Sequence, residues 1–174
     1  MRILGIDPGT ATIGFGVIEY HEDQCTLLDY GCIKTEKQFA LPERLRQIHQ
    51  DLESLLKEWK PETVAIEDIF FSKNVKTAIQ VAQARGAILQ QFASKQLSIG
   101  EYKPQQIKEA VCGYGKAEKK QIQKMVQLIL KMDETPEPDD AADALAIAIC
   151  HAHQLGRAKM IALADTQSLQ PAYT

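Results

Sequence analysis

The stretch that most constrains the fold stands near the start: Arg2-Ile3-Leu4-Gly5-Ile6-Asp7-Pro8-Gly9-Thr10. An apolar run of this length, closed by turn residues, reads as a buried strand. It ends on an acid, and the carboxyl end of a strand is where open α/β sheets bind their ligands. Asp before Pro-Gly also caps turns, so this stretch alone leaves Asp7 either a cap or a working group. Ala11-Thr12-Ile13-Gly14-Phe15-Gly16-Val17-Ile18 reads as a second strand, whose glycines admit another backbone or a ligand at close range.

A third strand is expected from Cys25 to Lys34, after a turn at Glu22-Asp23, so the first three strands form an antiparallel meander. Leu45, Ile48, Leu52, Leu55, Leu56 and Trp59 recur at helical spacing between Pro42 and Pro61. Thr63-Val64-Ala65-Ile66-Glu67-Asp68 is the second strand to end on acids. Neighbouring strand residues face opposite ways, and Glu67, which closes the apolar run, is the one expected in a site. A loop with the aromatics Phe70 and Phe71 leads into a helix from Val75 to Ser94. That helix carries two apolar stripes: Val75, Ala78, Ile79, Ala82, Gly86 and Leu89 on one side, Val81, Ala84, Ile88 and Phe92 on the other. Either it lies between the sheet and a partner subunit, or both stripes are buried within one chain.

Leu97 to Tyr102 reads as the fifth strand, and Lys103-Pro104 opens a short helix carrying Lys108. Gly113-Tyr114-Gly115 breaks it, and an amphipathic helix is expected from Lys116 to Met132 with Lys116, Lys119, Lys120 and Lys124 on its polar side. The last helix starts at Asp139 or Asp140. Asp140 and Asp143 are three residues apart and share a face. The alanines that follow keep the helix slim enough to lie close on a sheet. First-turn acids also suit the helix dipole, which accounts for Asp139 and Asp140 better than for Asp143. One α/β domain with five strands is expected over 1–156. Residues 157–174 are expected to form a tail, partly disordered.

No apolar run is long enough to span a bilayer and no cleavable signal opens the chain. Cys25, Cys32, Cys112 and Cys150 form no C-x-x-C pair and are expected as reduced thiols of a cytoplasmic protein. The net charge is −3, yet residues 73–131 hold eleven Lys and Arg against three acids, an excess of +8 that leaves −11 elsewhere. A chain divided in this way presents a basic face while staying acidic overall.

Asp7, Glu67, Asp140 and Asp143 can converge at the strand ends. Four carboxylates in one place repel and take up protons unless a cation joins them. Hard divalent cations with oxygen ligands resolve that conflict. Two such ions activate water and stabilise the leaving oxygen of a phosphoryl displacement. The acid cluster and the basic segment together point to a phosphodiesterase acting on nucleic acid. His151 and His153 are read as structural.

The segments GIDPGTATIGFGVIE, VAIEDIFFSKN, AQARGAIL, GYGKAEKKQIQKMV and DDAADALAIAICHAH resemble, in order, the RuvC family of bacterial Holliday-junction resolvases, from Met1 to about His153. The resemblance implies a ribonuclease H-like fold, a five-stranded mixed sheet (first three strands antiparallel, then parallel) with helices on both faces, and paired symmetric nicks on opposed strands of a four-way DNA junction, in recombination and repair. It implies Asp7, Glu67, Asp140 and Asp143 as catalytic acids, holding two Mg²⁺ ions per active site with Mn²⁺ able to substitute. Phe70 matches a loop aromatic that stacks on bases, and Lys73, Lys108, Lys116, Lys119 and Lys120 are expected at the DNA. The family pattern further implies a homodimer through the helix at 75–94, the RuvA–RuvB branch-migration complex as partner, and the bacterial cytoplasm. An actin-like phosphotransferase would also carry an Asp-x-Gly-Thr turn, but normally needs two such domains. A non-catalytic junction binder would gain nothing from four acids near phosphate.

Overall fold

A computed structural model describes residues 1–36, 38–68 and 75–168. Its elements are β1 (Arg2–Asp7), β2 (Thr12–His21), β3 (Gln24–Lys34), α1 (Leu41–Trp59), β4 (Thr63–Glu67), α2 (Val75–Ser94), β5 (Ser98–Tyr102), α3 (Pro104–Cys112), α4 (Lys119–Ile129) and α5 (Asp139–Ser168). The five strands form one sheet in the order β3-β2-β1-β4-β5. β1, β2 and β3 are antiparallel neighbours, while β4 runs parallel to β1 and β5 parallel to β4. Glu22 and Asp23 take φ of 49° and 61°, the two-residue hairpin conformation whose twist matches the strands it joins.

Alternation along the strands divides the core in two. Leu4, Ile6, Ile13, Val17, Val64 and Ile66 pack on one face with α1 and α2. On the other, Ile3, Ile18 and Ala65 pack with α3, α4 and α5. That second face is built for a close helix. Gly16, Gly5, Ala65 and Gly100 are successive cross-strand partners, a row of small residues across four strands. α5 lies over it with Ala141, Ala142, Ala144, Ala146 and Ala148, each no more than 1% exposed. A Cβ on Gly5 would overlap the Ala144 carbonyl oxygen and stand 2.7 Å from the Ala148 nitrogen. One on Gly14 would overlap the carbonyl oxygen of Asp140. Backbone therefore rests almost directly on backbone.

Two expectations change. α4 begins at Lys119 rather than Lys116: Glu118 is its N-cap, and its N–H donates to the Gln121 side chain at 2.8 Å. Lys116 therefore precedes the helix. The segment expected as a tail begins inside α5, which continues to Ser168. Gly156 suggests a stop, yet it sits inside the helix, where a Cβ would overlap the Tyr20 hydroxyl. Residues 169–174 lie outside the described residues.

His151 and His153 take structural parts. His151 is buried, with Nε2 2.8 Å from Thr63 Oγ1 and Nδ1 2.6 Å from the Tyr102 hydroxyl. Thr63 Oγ1 donates onward to the Ser98 carbonyl, so it accepts from His151 Nε2–H, and Tyr102 O–H donates to Nδ1. His153 Nδ1–H donates to the Ala110 carbonyl at 3.1 Å.

Gly5→Ala and Gly16→Ala each force a methyl into the α5 contact. Overpacking of this kind costs about 1–3 kcal/mol, and at this chain length each kcal/mol lowers Tm by about 2–4 °C. Thermal unfolding followed by circular dichroism should show that drop for both variants. An unchanged Tm would contradict the backbone-on-backbone packing.

Candidate active site

The sheet presents its acids on the α5 face. In β1 that face carries Ile3, Gly5 and Asp7, and in β4 Thr63, Ala65 and Glu67, by strict alternation. Ile6 and Ile66 are register partners, so Asp7 and Glu67 stand side by side at the carboxyl ends of two parallel strands. α5 starts above them, and Gly14 opposite Asp7 lets its first turn come down. Asp7, Glu67 and Asp143 line one cavity of about 220 Å³ together with Lys108 and Lys119. Pro104, Ile107, Ile122, Ala146 and Ile147 supply its apolar walls.

The expected site residues do not all share this cavity. Asp140 is not among its lining residues, but it is near enough to raise the pKa of Asp7 and of Asp143. Lys116 and Lys120 are exposed outside it. Phe70 and Lys73 lie outside the described residues.

Burial pushes the Asp7 carboxyl up to about 8, helped by the charges of Glu67, Asp143 and Asp140 and opposed by Lys119. Burial also raises Glu67, to about 7, with Asp143 adding to the shift and Lys108 and Lys119 opposing it. Asp143 is raised by burial against the pull of Lys119. Lys119, first residue of α4, reaches Asp143 at 3.0 Å and Asp139 at 3.2 Å. Burial alone would lower its pKa, but the hydrogen bonds and charges of those two acids raise it. Periodicity put Lys119 on the solvent side of a longer helix. Its reach to Asp143 follows from α4 starting where it does.

Among the described residues, no three His, Cys, Asp or Glu side chains form a ready-made cage for a metal ion. The donor set nevertheless fits a hard divalent cation. Three partly desolvated carboxylates share one cavity with too little positive charge to keep them all ionised. Mg²⁺ is normally held by one or two carboxylates plus waters and phosphate oxygens rather than by an all-protein cage. Asp7, Glu67 and Asp143 are the groups that would hold it, with Asp140 alongside.

A raised acid pKa has a direct consequence for stability. Between the ordinary Asp value of 3.8 and about 8, the folded state binds more protons at Asp7 than the unfolded chain does. Its contribution is therefore complete below 3.8 and is lost as pH rises through about 8. Without divalent cation, Tm should fall from pH 5 to pH 9, Asp7→Asn should flatten that fall, and Mg²⁺ should restore Tm at pH 8. Thermal melts across this range, with and without Mg²⁺, test it. A flat profile indifferent to Asp7→Asn would contradict the crowded-acid reading.

Comparison with known proteins adds the family. Residues 3–151 match the family described as crossover junction endodeoxyribonuclease RuvC. A protein of that description from Syntrophomonas wolfei is 54% identical over 153 residues, covering 88% of this chain and 89% of its own. The Thermus thermophilus RuvC structure superposes with a TM-score of 0.82 at 36% identity, over 90% of this chain and 97% of its own. T. thermophilus RuvC in complex with Holliday junction substrate does so with a TM-score of 0.82 at 34% identity, over 90% and 96%.

Proposed function

The chain belongs to the RuvC family of crossover junction endodeoxyribonucleases, and on that premise we propose that it resolves four-way DNA junctions by paired, metal-assisted nicks on opposed strands. The observation that carries this reading is the meeting of Asp7, Glu67 and Asp143 with Lys108 and Lys119 in one cavity at the carboxyl ends of β1 and β4. Nicking is hydrolysis of a phosphodiester: a water oxygen gives up a proton and bonds to phosphorus, one bond between phosphorus and a deoxyribose oxygen breaks, and that leaving oxygen takes up a proton.

Mg²⁺, two ions per site, would be held by Asp7, Glu67, Asp140 and Asp143, supplying an activated water and charge neutralisation at the leaving oxygen. Mn²⁺ would substitute. The chain's own groups bind and orient. Lys108 and Lys119 offer positive charge to the phosphate at the rim. Ile107, Ile122 and Ile147 narrow the space open to bulk water. Lys116 and Lys120, both exposed, would meet DNA phosphates, and the family resemblance assigns Lys73 to DNA contact and Phe70 to stacking on bases.

Two nicks need two sites, and a two-fold homodimer supplies them most simply. Supporting α2 as the contact is its outer face: Ile79 is 54% exposed, Ala82 and Gly86 are exposed, and a Cβ on Gly86 would meet nothing within 4 Å. Ala84, Ile88 and Phe92 already cover the sheet from the inner face. RuvA and RuvB would deliver the junction, and the bacterial cytoplasm is the expected setting. No helix among the described residues is long and apolar enough to cross a membrane.

A labelled synthetic four-way junction tests this reading. Wild-type protein should give paired symmetric nicks with Mg²⁺ and none with chelator. Asp7→Asn, Glu67→Gln and Asp143→Asn should each slow nicking about 100-fold or more while leaving binding intact, since metal assistance supplies several kcal/mol. Binding by all four proteins without any nicking would leave a junction binder instead. Affinity should fall steeply with salt, as counterion release requires, and an affinity flat between 50 and about 200 mM would refute the role given to the basic segment. Ala82→Glu should yield monomers by analytical ultracentrifugation, because an unpaired charge in a buried contact is costly. A wild type that stays monomeric on the junction would remove the dimer.

A further inference from the structure

Arg85 departs from the apolar pattern of α2. It stands at the edge of that helix, between the inner face that carries Ala84 and Ile88 and the outer face that carries Ala82 and Gly86. Its side chain is only 13% exposed. Nε–H donates to the backbone carbonyl of Glu67 at 3.0 Å. Nη2 pairs with Glu101 and lies 3.4 Å from Asp68 Oδ1. Both acids are on the α2 side of the sheet, because Asp68 follows Glu67 and Glu101 is the register partner of Ile66. The guanidinium therefore clamps the end of β4 from behind, while the Glu67 carboxyl points into the cavity on the other face.

We infer that Arg85 is a positioning residue for Glu67: it fixes the backbone from which that carboxylate projects, and so ties the active-site strand end to helix α2. This rests on the nuclease reading above and deepens it, since α2 is also the helix proposed to meet the second subunit. A guanidinium suits the task because its planar fork serves a carbonyl and carboxylates at fixed angles, which a lysine ammonium does not reproduce. A role as a DNA contact fits poorly. Nε and Nη2 are committed within the chain and the group is largely covered. Groups that hold a metal ligand in place typically control metal affinity by about 10–100-fold, and small misplacement of reacting groups costs about 100-fold in rate.

The test compares wild type with Arg85→Lys, which keeps the charge but not the fork, and with Glu101→Gln, which removes an ion pair while leaving the Nε–H donation to Glu67. Mg²⁺ affinity is read without DNA by titration calorimetry and by Mg²⁺-dependent thermal shift. Junction affinity, its salt slope and single-turnover nicking are then measured. Arg85→Lys should weaken Mg²⁺ binding and slow nicking by about tenfold or more, with junction affinity and salt slope within about twofold of wild type. Glu101→Gln should stay within about twofold on every reading. Wild-type Mg²⁺ affinity and nicking in Arg85→Lys would overturn the inference. So would a loss of junction affinity with a shallower salt slope, which marks a DNA contact, or equal losses in both variants that track a lower Tm. A wild type that binds Mg²⁺ but leaves junctions uncut would overturn the nuclease reading and not the clamp, which the Mg²⁺ affinity decides by itself.

Discussion

The structure depends on how near α5 comes to the sheet. A helix normally keeps its distance from strands because side chains stand between them. Here the row Gly16, Gly5, Ala65 and Gly100 removes those side chains from the sheet, and the alanines of α5 remove them from the helix. Asp is a short residue, so Asp143 reaches the strand-end acids only because its backbone is already close. The position of α5 is in turn backed from outside by α3 and α4, whose Ile107, Val111, Ile122 and Val126 pack against it.

That closeness sets the electrostatics. Asp7 and Glu67 are partly desolvated by the helix that brings Asp143 to them, so burial and mutual repulsion act together on the same protons. Lys119 offsets part of this from the first turn of α4. Such a cluster is unfavourable for the isolated fold and useful for holding a divalent cation and a phosphate.

Much of this was legible in the sequence. The meander showed in its turn residues, and Asp7 and Glu67 showed because each ends an apolar run. Asp143 showed because it enters an alanine-rich segment three residues after Asp140. What escaped depended on partners distant in sequence. Lys119 had the right charge, but its reach to Asp143 depends on a helix start set by the Glu118–Gln121 cap. Arg85 lies on a helix of little charge with nothing nearby in sequence to pair with it, and only the sheet register brings Glu101 and Asp68 to it. Glycine usually interrupts a helix, yet Gly156 lies inside α5. Its tolerance inside α5 comes from the Tyr20 hydroxyl occupying the space that a side chain would need. Cys32 was read only as a scattered thiol, yet it is the register partner of Gly14, and the charges of Asp140 and Asp7 help to raise its pKa, after burial.

One helix serves both as spine of the core and as mount for two of the acids. In most enzymes a mild core substitution and a catalytic lesion are separate events, mapped to separate residues. Here Ala148 is more than a turn from Asp143, and its Cβ and nitrogen stand directly over Gly5. A shift there of a few tenths of an ångström is absorbed by the fold but is carried along the helix to Asp143, the carboxylate proposed above to hold the metal. Mutational drift in this chain should therefore register first as folded protein that has lost its activity, with defects scattered along α5 and the small-residue row beneath it rather than gathered at the acids.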